Sequence, residues 1–265
     1  MLRDRGLDGG NGSRGPAGPE VSVIRAEAGE ERSRGLRGSY CVVIPTFNER
    51  ASIRAVVDRL VATNLVRAIV VVDDGSRDGT LGELAGVPGT QAHLILVNRG
   101  TRKGIGSAIR DGLALGLRTS TATRFAHLDG DLSHLPEQLH DLDVADADVV
   151  IGSRYTAGGA FTGISPWRKV VSFGANKLVR SLFGIPVHDA TSGFRTYSRR
   201  AAESVALSTR TTGFEFFVES LLIARKRNFT VQERPITFMP RKAGSSKLGV
   251  RAMFKFLRYM VTSAG

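Results

Sequence analysis

The stretch RFAHLDGDLSHLP, residues 124–136, decides how the rest of the chain is read. An apolar run of strand length breaks off into two aspartates, Asp129 and Asp131, with only Gly130 between them. Working outward, the same pattern recurs: YCVVI runs into PTFNE, RAIVVV into DDGSRDGT, HLILV into NRGTRKG and DVVIG into SRY. Between these runs lie segments of helical period, ERASIRAVVDRLVAT and GIGSAIRDGLALGLR, and a short helix from Thr80. Strand-length apolar runs alternating with helical segments predict βαβ units, and so a mainly parallel α/β sheet covered by helices. In such a sheet the ligand crevice lies beyond the carboxyl ends of the strands, which is where the polar residues are expected to converge.

Two carboxylates this close repel each other unless a cation or a proton lies between them. A divalent ion resolves the conflict: Mg²⁺ or Mn²⁺ suits hard oxygen ligands, and Mg²⁺ typically takes one or two carboxylates plus substrate phosphates. Gly130 allows close backbone approach. A D-x-D pair is also a common surface turn, so these three residues do not decide the matter alone. Asp73 and Asp74 have two readings as well, acceptors for a base or ribose or a turn that ends the strand. GIGSAI resembles a phosphate-binding glycine loop but has Ile109 where the third glycine belongs, which weakens a dinucleotide-binding reading. Arg154, Arg168, Arg195, Arg241 and Lys247 lie in Gly- or Ser-bearing loops or near helix starts, positions that suit phosphate contacts. His134 flanks the acid pair and is placed to orient it, and the other histidines share no metal-ligand spacing.

Residues 1–38 are rich in Gly, Arg, Ser and Glu without apolar periodicity and read as a disordered tail. Residues 39–249 read as the globular domain. After about residue 155 the alternation gives way to an amphipathic helix, PWRKVVSFGANKLVRSLF, a short strand, FRTYS, a helix, FEFFVESLLIARKRN, and a strand, FTVQERPITF. Residues 250–265 read as a basic amphipathic helix. The net charge of +12 is concentrated at this end, where residues 225–265 hold ten basic side chains against Glu233. Such a patch attracts nucleic acid, phosphorylated substrates or an anionic bilayer. Only four Tyr and one Trp, together with acidic strand tips, argue against nucleic acid. The single cysteine, Cys41, excludes an internal disulfide and fits a reducing compartment. Without a signal-like start or an apolar run of about 18 residues, a cytoplasmic or peripheral protein is expected.

PTFNE, VVDDGSRDGT, KGIGSAIRDG, LDGDLSHLP, GSRY, WRKVVSFGAN, DATSGFR, GFEFFVE and RKAGSSKLG, in this order, resemble the dolichol-phosphate mannosyltransferases, or polyprenol-monophosphomannose synthases, among the family 2 glycosyltransferases. The resemblance runs from about Tyr40 to Gly249. It implies a GT-A fold with a Rossmann-like sheet and metal-dependent, inverting transfer of mannose from GDP-mannose to a polyprenyl or dolichyl phosphate, with UDP-glucose or a UDP-N-acetylhexosamine as the alternative donor. It also implies residue roles. Pro45, Phe47 and Glu49, then Val72 and Asp74, match the blocks that hold the nucleotide. Asp129, Gly130 and Asp131 match the donor and metal motif, with Ser133 where some relatives add a metal ligand. Arg154, Arg241 and Lys247 match groups around the diphosphate, and Arg168 with the Ser192–Arg195 loop matches the region receiving the lipid phosphate. Asp131 and Arg241 are thus the expected catalytic pair. Phe47 replaces a more usual Tyr and Gly130 a more usual Ala, which loosens the inference about the donor. A lipid acceptor implies work at the cytoplasmic face of a membrane, with the C-terminal helix on the headgroups or on a membrane-anchoring partner subunit.

Overall fold

The computed structural model describes residues 20–22, 39–84, 92–241 and 250–263. The apolar runs are strands: β1 (Glu20–Ser22), β2 (Tyr40–Thr46), β3 (Val66–Asp73), β4 (His93–Asn98), β5 (Arg124–His127), β6 (Val149–Ser153), β7 (Ala160–Phe161), β8 (Arg195–Ser198), β9 (Val231–Pro235) and β10 (Thr237–Phe238). The helices are α1 (Arg50–Ala62), α2 (Ile105–Thr119), α3 (Pro166–Phe183), α4 (Arg199–Ser208), α5 (Phe216–Lys226) and α6 (Val250–Thr262). Eight strands form one sheet in the order β1-β4-β3-β2-β5-β8-β6-β9, and β7 and β10 form a small parallel pair. β4, β3, β2 and β5 are parallel, as are β6 and β9, whereas β1 and β8 run against their neighbours.

Alternate strand residues enter two cores, as expected of a sheet covered on both sides. Val42, Ile44, Ile69 and Val71 pack with Ile53, Val56, Val57 and Leu60 of α1. Cys41, Val43, Val70 and Val72 pack on the other side with residues of α2, α4 and α5. The glycines of α2 explain how that helix lies so close: a Cβ at Gly112 would stand 2.4 Å from Val43 Cγ1, and one at Gly116 would stand 2.6 Å from Cys41 Sγ. GIGSAIRDG therefore serves close helix–sheet packing.

Of residues 1–38, read as a disordered tail, only 20–22 are described, and they pair antiparallel with β4. Helix α4 was not expected. It follows β8 without a loop and is started by the Ser198 hydroxyl, which accepts from Ala201 N at 3.3 Å. The C-terminal helix packs on the domain through Phe256 and Met260, yet Phe254 and Val261 on its other side are 70% and 75% exposed. Trp167 and Phe173 of α3 are likewise exposed. Among the described residues no helix is long and apolar enough to cross a membrane.

Candidate active site

The loops after β2, β3 and β5 are tied to one another at the carboxyl edge of the sheet. Ser76 Oγ accepts from Asn48 N at 2.7 Å, Thr80 Oγ1 from Glu49 N at 2.9 Å, and Asn48 Oδ1 from Arg77 N at 3.0 Å. Ser52 at the start of α1 donates to Gly130 O at 2.8 Å, which fixes the β5 loop to the same edge. A Cβ on Gly130 would stand 3.1 Å from Thr46 Cγ2, so the loop rests against the end of β2.

The second aspartate is held firmly at one oxygen. Leu132 adopts a left-handed backbone, φ 62°, uncommon for a bulky side chain, and the turn directs Ser133 back toward Asp131. Asp131 Oδ1 accepts from Ser133 N at 2.9 Å and from Ser133 Oγ at 2.5 Å. Asp131 Oδ2 is buried and makes no hydrogen bond, although Arg241 Nε lies 2.7 Å away; the two are in ionic contact without hydrogen-bond alignment. Arg241 Nη1 also lies 3.9 Å from Glu49 Oε1. The arginine reaches this point because the chain after β10 runs along the acidic loop: Met239 N donates to Ser133 O at 2.9 Å, and Phe238 bridges to His134. Asp129 is the more open acid, with a side chain 25% exposed. Behind it, His134 Nδ1 accepts from Asp129 N at 3.4 Å. Burial pushes the His134 imidazole down to about 4 against the pull of the Asp131 charge, so it is neutral and braces the loop. Gly193 forms the opposite wall: a Cβ there would stand 3.5 Å from both Asp129 oxygens.

Asp129, Gly130, Asp131, Ser133, Arg241 and Glu49 are thus brought together. Other expected site residues are placed differently. Arg154 is closed onto Asp189, with Nε to Oδ2 at 2.7 Å and Nη2 to Oδ1 at 2.6 Å, so its fork is already filled by a carboxylate. Arg195, expected near the acceptor phosphate, is held inside the protein. It is 0% exposed and donates to Ser192 O, Phe217 O, Ser220 Oγ and Ala190 O. The reason is topological: β8 is an interior strand, and Arg195 lies opposite His127 on one neighbour and Ile151 on the other. Ser192 is also buried, accepting from Phe194 N. Asp74 spends both oxygens on the protein, Oδ1 on the Arg99 guanidinium and Oδ2 on the amides of Gly104 at 2.9 Å and Lys103 at 3.3 Å. Pro45 pairs in register with Val72, whose side chain lies in the core beside α2. Phe47 carries the Arg102 guanidinium over its ring at 4.7 Å. The Arg168 side chain and Lys247 lie outside the described residues. Sequence reasoning did not single out Arg99, Arg102 or Asp189, and it took Gly193 only as part of the Ser192–Arg195 loop; Arg99 gave a signal, as a charge just past the end of an apolar run.

Among the described residues no group of three or more His, Cys, Asp or Glu side chains is arranged to hold a metal. The donors present still fit a hard divalent ion bound with a substrate diphosphate, which requires one or two protein carboxylates. Asp131 Oδ2, buried and without a hydrogen bond, is the atom such an ion would satisfy.

The fold is thus a Rossmann-like α/β sheet that carries an acid pair at the tip of an inner strand. The chain belongs to Glycosyl transferase family 2, whose pattern matches residues 41–206. It is 39% identical over 226 residues to a polyprenol monophosphomannose synthase of Mycolicibacterium smegmatis, covering 81% of this chain and 84% of that one. It is 32% identical over 210 residues to an undecaprenyl-phosphate mannosyltransferase of Micrococcus luteus, covering 78% and 86%. The fold matches glucosyl-3-phosphoglycerate synthase of Mycobacterium tuberculosis bound to Mn²⁺, UDP and phosphoglyceric acid, with a TM-score of 0.62 at 18% identity over 88% of this chain and 79% of that one. The same enzyme with Mg²⁺ and UDP gives 0.60 at 19% identity over 88% and 80%.

Proposed function

We propose that the protein transfers mannose from a nucleoside-diphosphate mannose, GDP-mannose, to a polyprenyl monophosphate, inverting the anomeric centre. The observation that carries this reading is the meeting of Asp131, Arg241 and Glu49 beside the strand tips, with Asp131 Oδ2 in ionic contact with Arg241 but without a hydrogen bond. The names of the two mannosyltransferase relatives support the sugar and the lipid class.

A phosphate monoester has a second pKa near ~6, so the acceptor oxygen is mostly deprotonated at neutral pH and needs no protein base. It attacks the anomeric carbon as the bond to the diphosphate breaks, and the electron pair leaves on the diphosphate. Asp129 and Asp131, the latter oriented by the Ser133 hydroxyl on its Oδ1, would hold Mg²⁺ or Mn²⁺, which would supply charge stabilisation for that leaving group. Arg241 shares the task from the open side, where its side chain is 28% exposed. Phe47 and Arg102 offer a stacking surface at the neighbouring tip for the base. Arg154 acts as a brace, through Asp189, for the loop that carries Gly193.

A lipid acceptor places the reaction at a bilayer. Helices α3 and α6 hold no Asp or Glu and expose Trp167, Phe173, Phe254 and Val261, a combination suited to an anionic membrane surface. Flotation with anionic but not zwitterionic vesicles is the expected result; flotation with neither assigns those faces to a protein partner.

Labelled GDP-mannose, UDP-glucose and UDP-N-acetylglucosamine, each offered with polyprenyl phosphate and Mg²⁺ or Mn²⁺, test the reaction. Label from GDP-mannose is expected in the organic phase and to disappear with EDTA. Transfer from a UDP-sugar alone would reassign the donor, and no transfer from any of them would reject the reading.

A further inference from the structure

His127 is the last residue of β5, two positions before Asp129, and takes no part in the chemistry described so far. It is 1% exposed and lies among the rings of Tyr197, Phe216 and Phe217, which hold it in one orientation. Its Nδ1 lies 2.9 Å from Gly193 O and its Nε2 lies 3.0 Å from the Tyr197 hydroxyl. A carbonyl oxygen only accepts, so Nδ1 carries the proton. Burial and the nearby Arg195 charge push the imidazole well below its usual range and keep it neutral. Nε2 therefore accepts from Tyr197, and the ring is fixed in one tautomer.

Gly193 is the wall beside the more open acid, Asp129. The loop that carries it is fixed residue by residue. Arg154 holds Asp189, Arg195 holds Ala190 O and Ser192 O, and Asn176 Oδ1 accepts from Thr191 N at 3.1 Å. The bond to Gly193 O differs from these because it comes from β5, the strand that ends in the acid pair. A Cβ at Gly193 would stand 3.5 Å from each Asp129 oxygen, so the carboxylate lies against this wall. The last torsion of an Asp side chain is soft. A shift of the wall therefore changes which way the two oxygens face.

We propose that His127 is a positioning residue for the metal-binding acid: by donating from Nδ1 to Gly193 O, it sets the wall that orients Asp129. This rests on the metal-dependent reading above. Ser133 orients Asp131 by bonding to it directly, whereas His127 acts on Asp129 through a glycine and touches neither metal nor substrate.

Two substitutions separate positioning from stability. His127→Asn puts an amide nitrogen where Nδ1 stood, so it keeps a donor for Gly193 O and loses Tyr197. His127→Gln puts its amide where Nε2 stood, so it keeps a partner for Tyr197 and loses Gly193 O. Each variant loses one bond and the ring, and both should lower the melting temperature to a similar degree. Mn²⁺ is then titrated by electron paramagnetic resonance into wild type and both variants with saturating GDP or UDP. His127→Asn is expected to stay close to wild type in Mn²⁺ affinity, and His127→Gln to bind about ten-fold or more weakly, as when an outer-shell partner of a metal ligand is lost. Equal losses of affinity in the two variants, or wild-type affinity in a folded His127→Gln, overturn the proposal while leaving the metal-dependent reaction standing. If neither variant folds, Tyr197→Phe takes their place. It frees the ring to move its proton to Nε2 and is expected to bind Mn²⁺ about five-fold more weakly, the low end of coupling between sites, and wild-type affinity there overturns the proposal. Wild type that takes up no Mn²⁺ even with nucleotide overturns both.

Discussion

The tips of β3 and β5 look alike in sequence, each an apolar run ending in two aspartates, yet the structure uses them differently. At β3, Asp73 accepts from Thr46 Oγ1 at 2.9 Å, from Ser76 N at 2.7 Å and from Ser76 Oγ at 2.5 Å, and Asp74 is filled by Arg99, Lys103 N and Gly104 N. Every carboxylate oxygen there is engaged by the protein. At β5, Asp131 has one oxygen without a hydrogen bond, and Asp129 is the more open acid. The first tip is a knot that holds three loops together, and the second retains capacity for a ligand. On the proposed function, what separates a structural acid from a functional one is how much of its hydrogen-bonding capacity the fold has left unused.

The sharpest way to break that contrast is to remove the acid with capacity to spare. Asp131→Asn is expected to lower sugar transfer by about 10³-fold, because charge stabilisation of the leaving group is worth several kcal/mol and each 1.36 kcal/mol is ten-fold in rate. Its urea midpoint should stay close to wild type, since Ser133 can still donate to the amide oxygen. Asp74→Ala should show the opposite profile. It strands the Arg99 guanidinium, 2% exposed, and should cost about 3 kcal/mol of unfolding free energy. That is the low end for a broken buried pair, because Asp111 remains 3.0 Å from Arg99 Nη1. If Asp74→Ala keeps its stability and loses only nucleotide binding, the β3 tip is a reading site and the contrast fails. Gly193→Ala is a subtler probe. Its methyl would meet His134 Cε1 at 3.3 Å and both Asp129 oxygens at 3.5 Å, so transfer should fall about ten-fold, the low end for disturbing the outer shell of a metal ligand.

Much of this was legible in the residues. PWRKVVSFGANKLVRSLF coincides with α3 because Pro166 opens the helix and Gly184, at φ 58°, closes it. The parallel strands follow from their apolar runs, and the convergence of the β2, β3 and β5 tips follows from parallel topology. What sequence could not supply was the path of the C-terminal half. Nothing in FRTYS announces an antiparallel strand inserted between β5 and β6, and without that insertion Arg195 reads as a surface cation. Nothing local pairs Arg154 with Asp189, 35 positions away, or carries Arg241 to Asp131 across more than a hundred residues. The periodicity of a segment reports which face is buried, whereas the spare capacity of a carboxylate depends on distant partners.

The smallest expected effect concerns the two Arg–Asp pairs and is read by pH. Burial would raise the Asp189 carboxyl, but the Arg154 charge and hydrogen bonds outweigh it and hold the group below the usual carboxylate range. In the unfolded chain the same group titrates near ~3.9. Between that value and the lower folded one the unfolded state binds more protons, so stability falls as pH falls. Above that window the contribution of the pair is complete, and below the folded value it is gone. Asp189→Asn leaves Arg154 without its anion at every pH. The stability difference between wild type and Asp189→Asn should therefore be greatest at neutral pH and shrink only once the pH drops below about 4, as followed by urea denaturation. A difference that stays constant through this window would mean that packing rather than charge maintains the pair. Adding Mn²⁺ and nucleotide should leave the difference unchanged, since a two-point fork has no reason to exchange its cation.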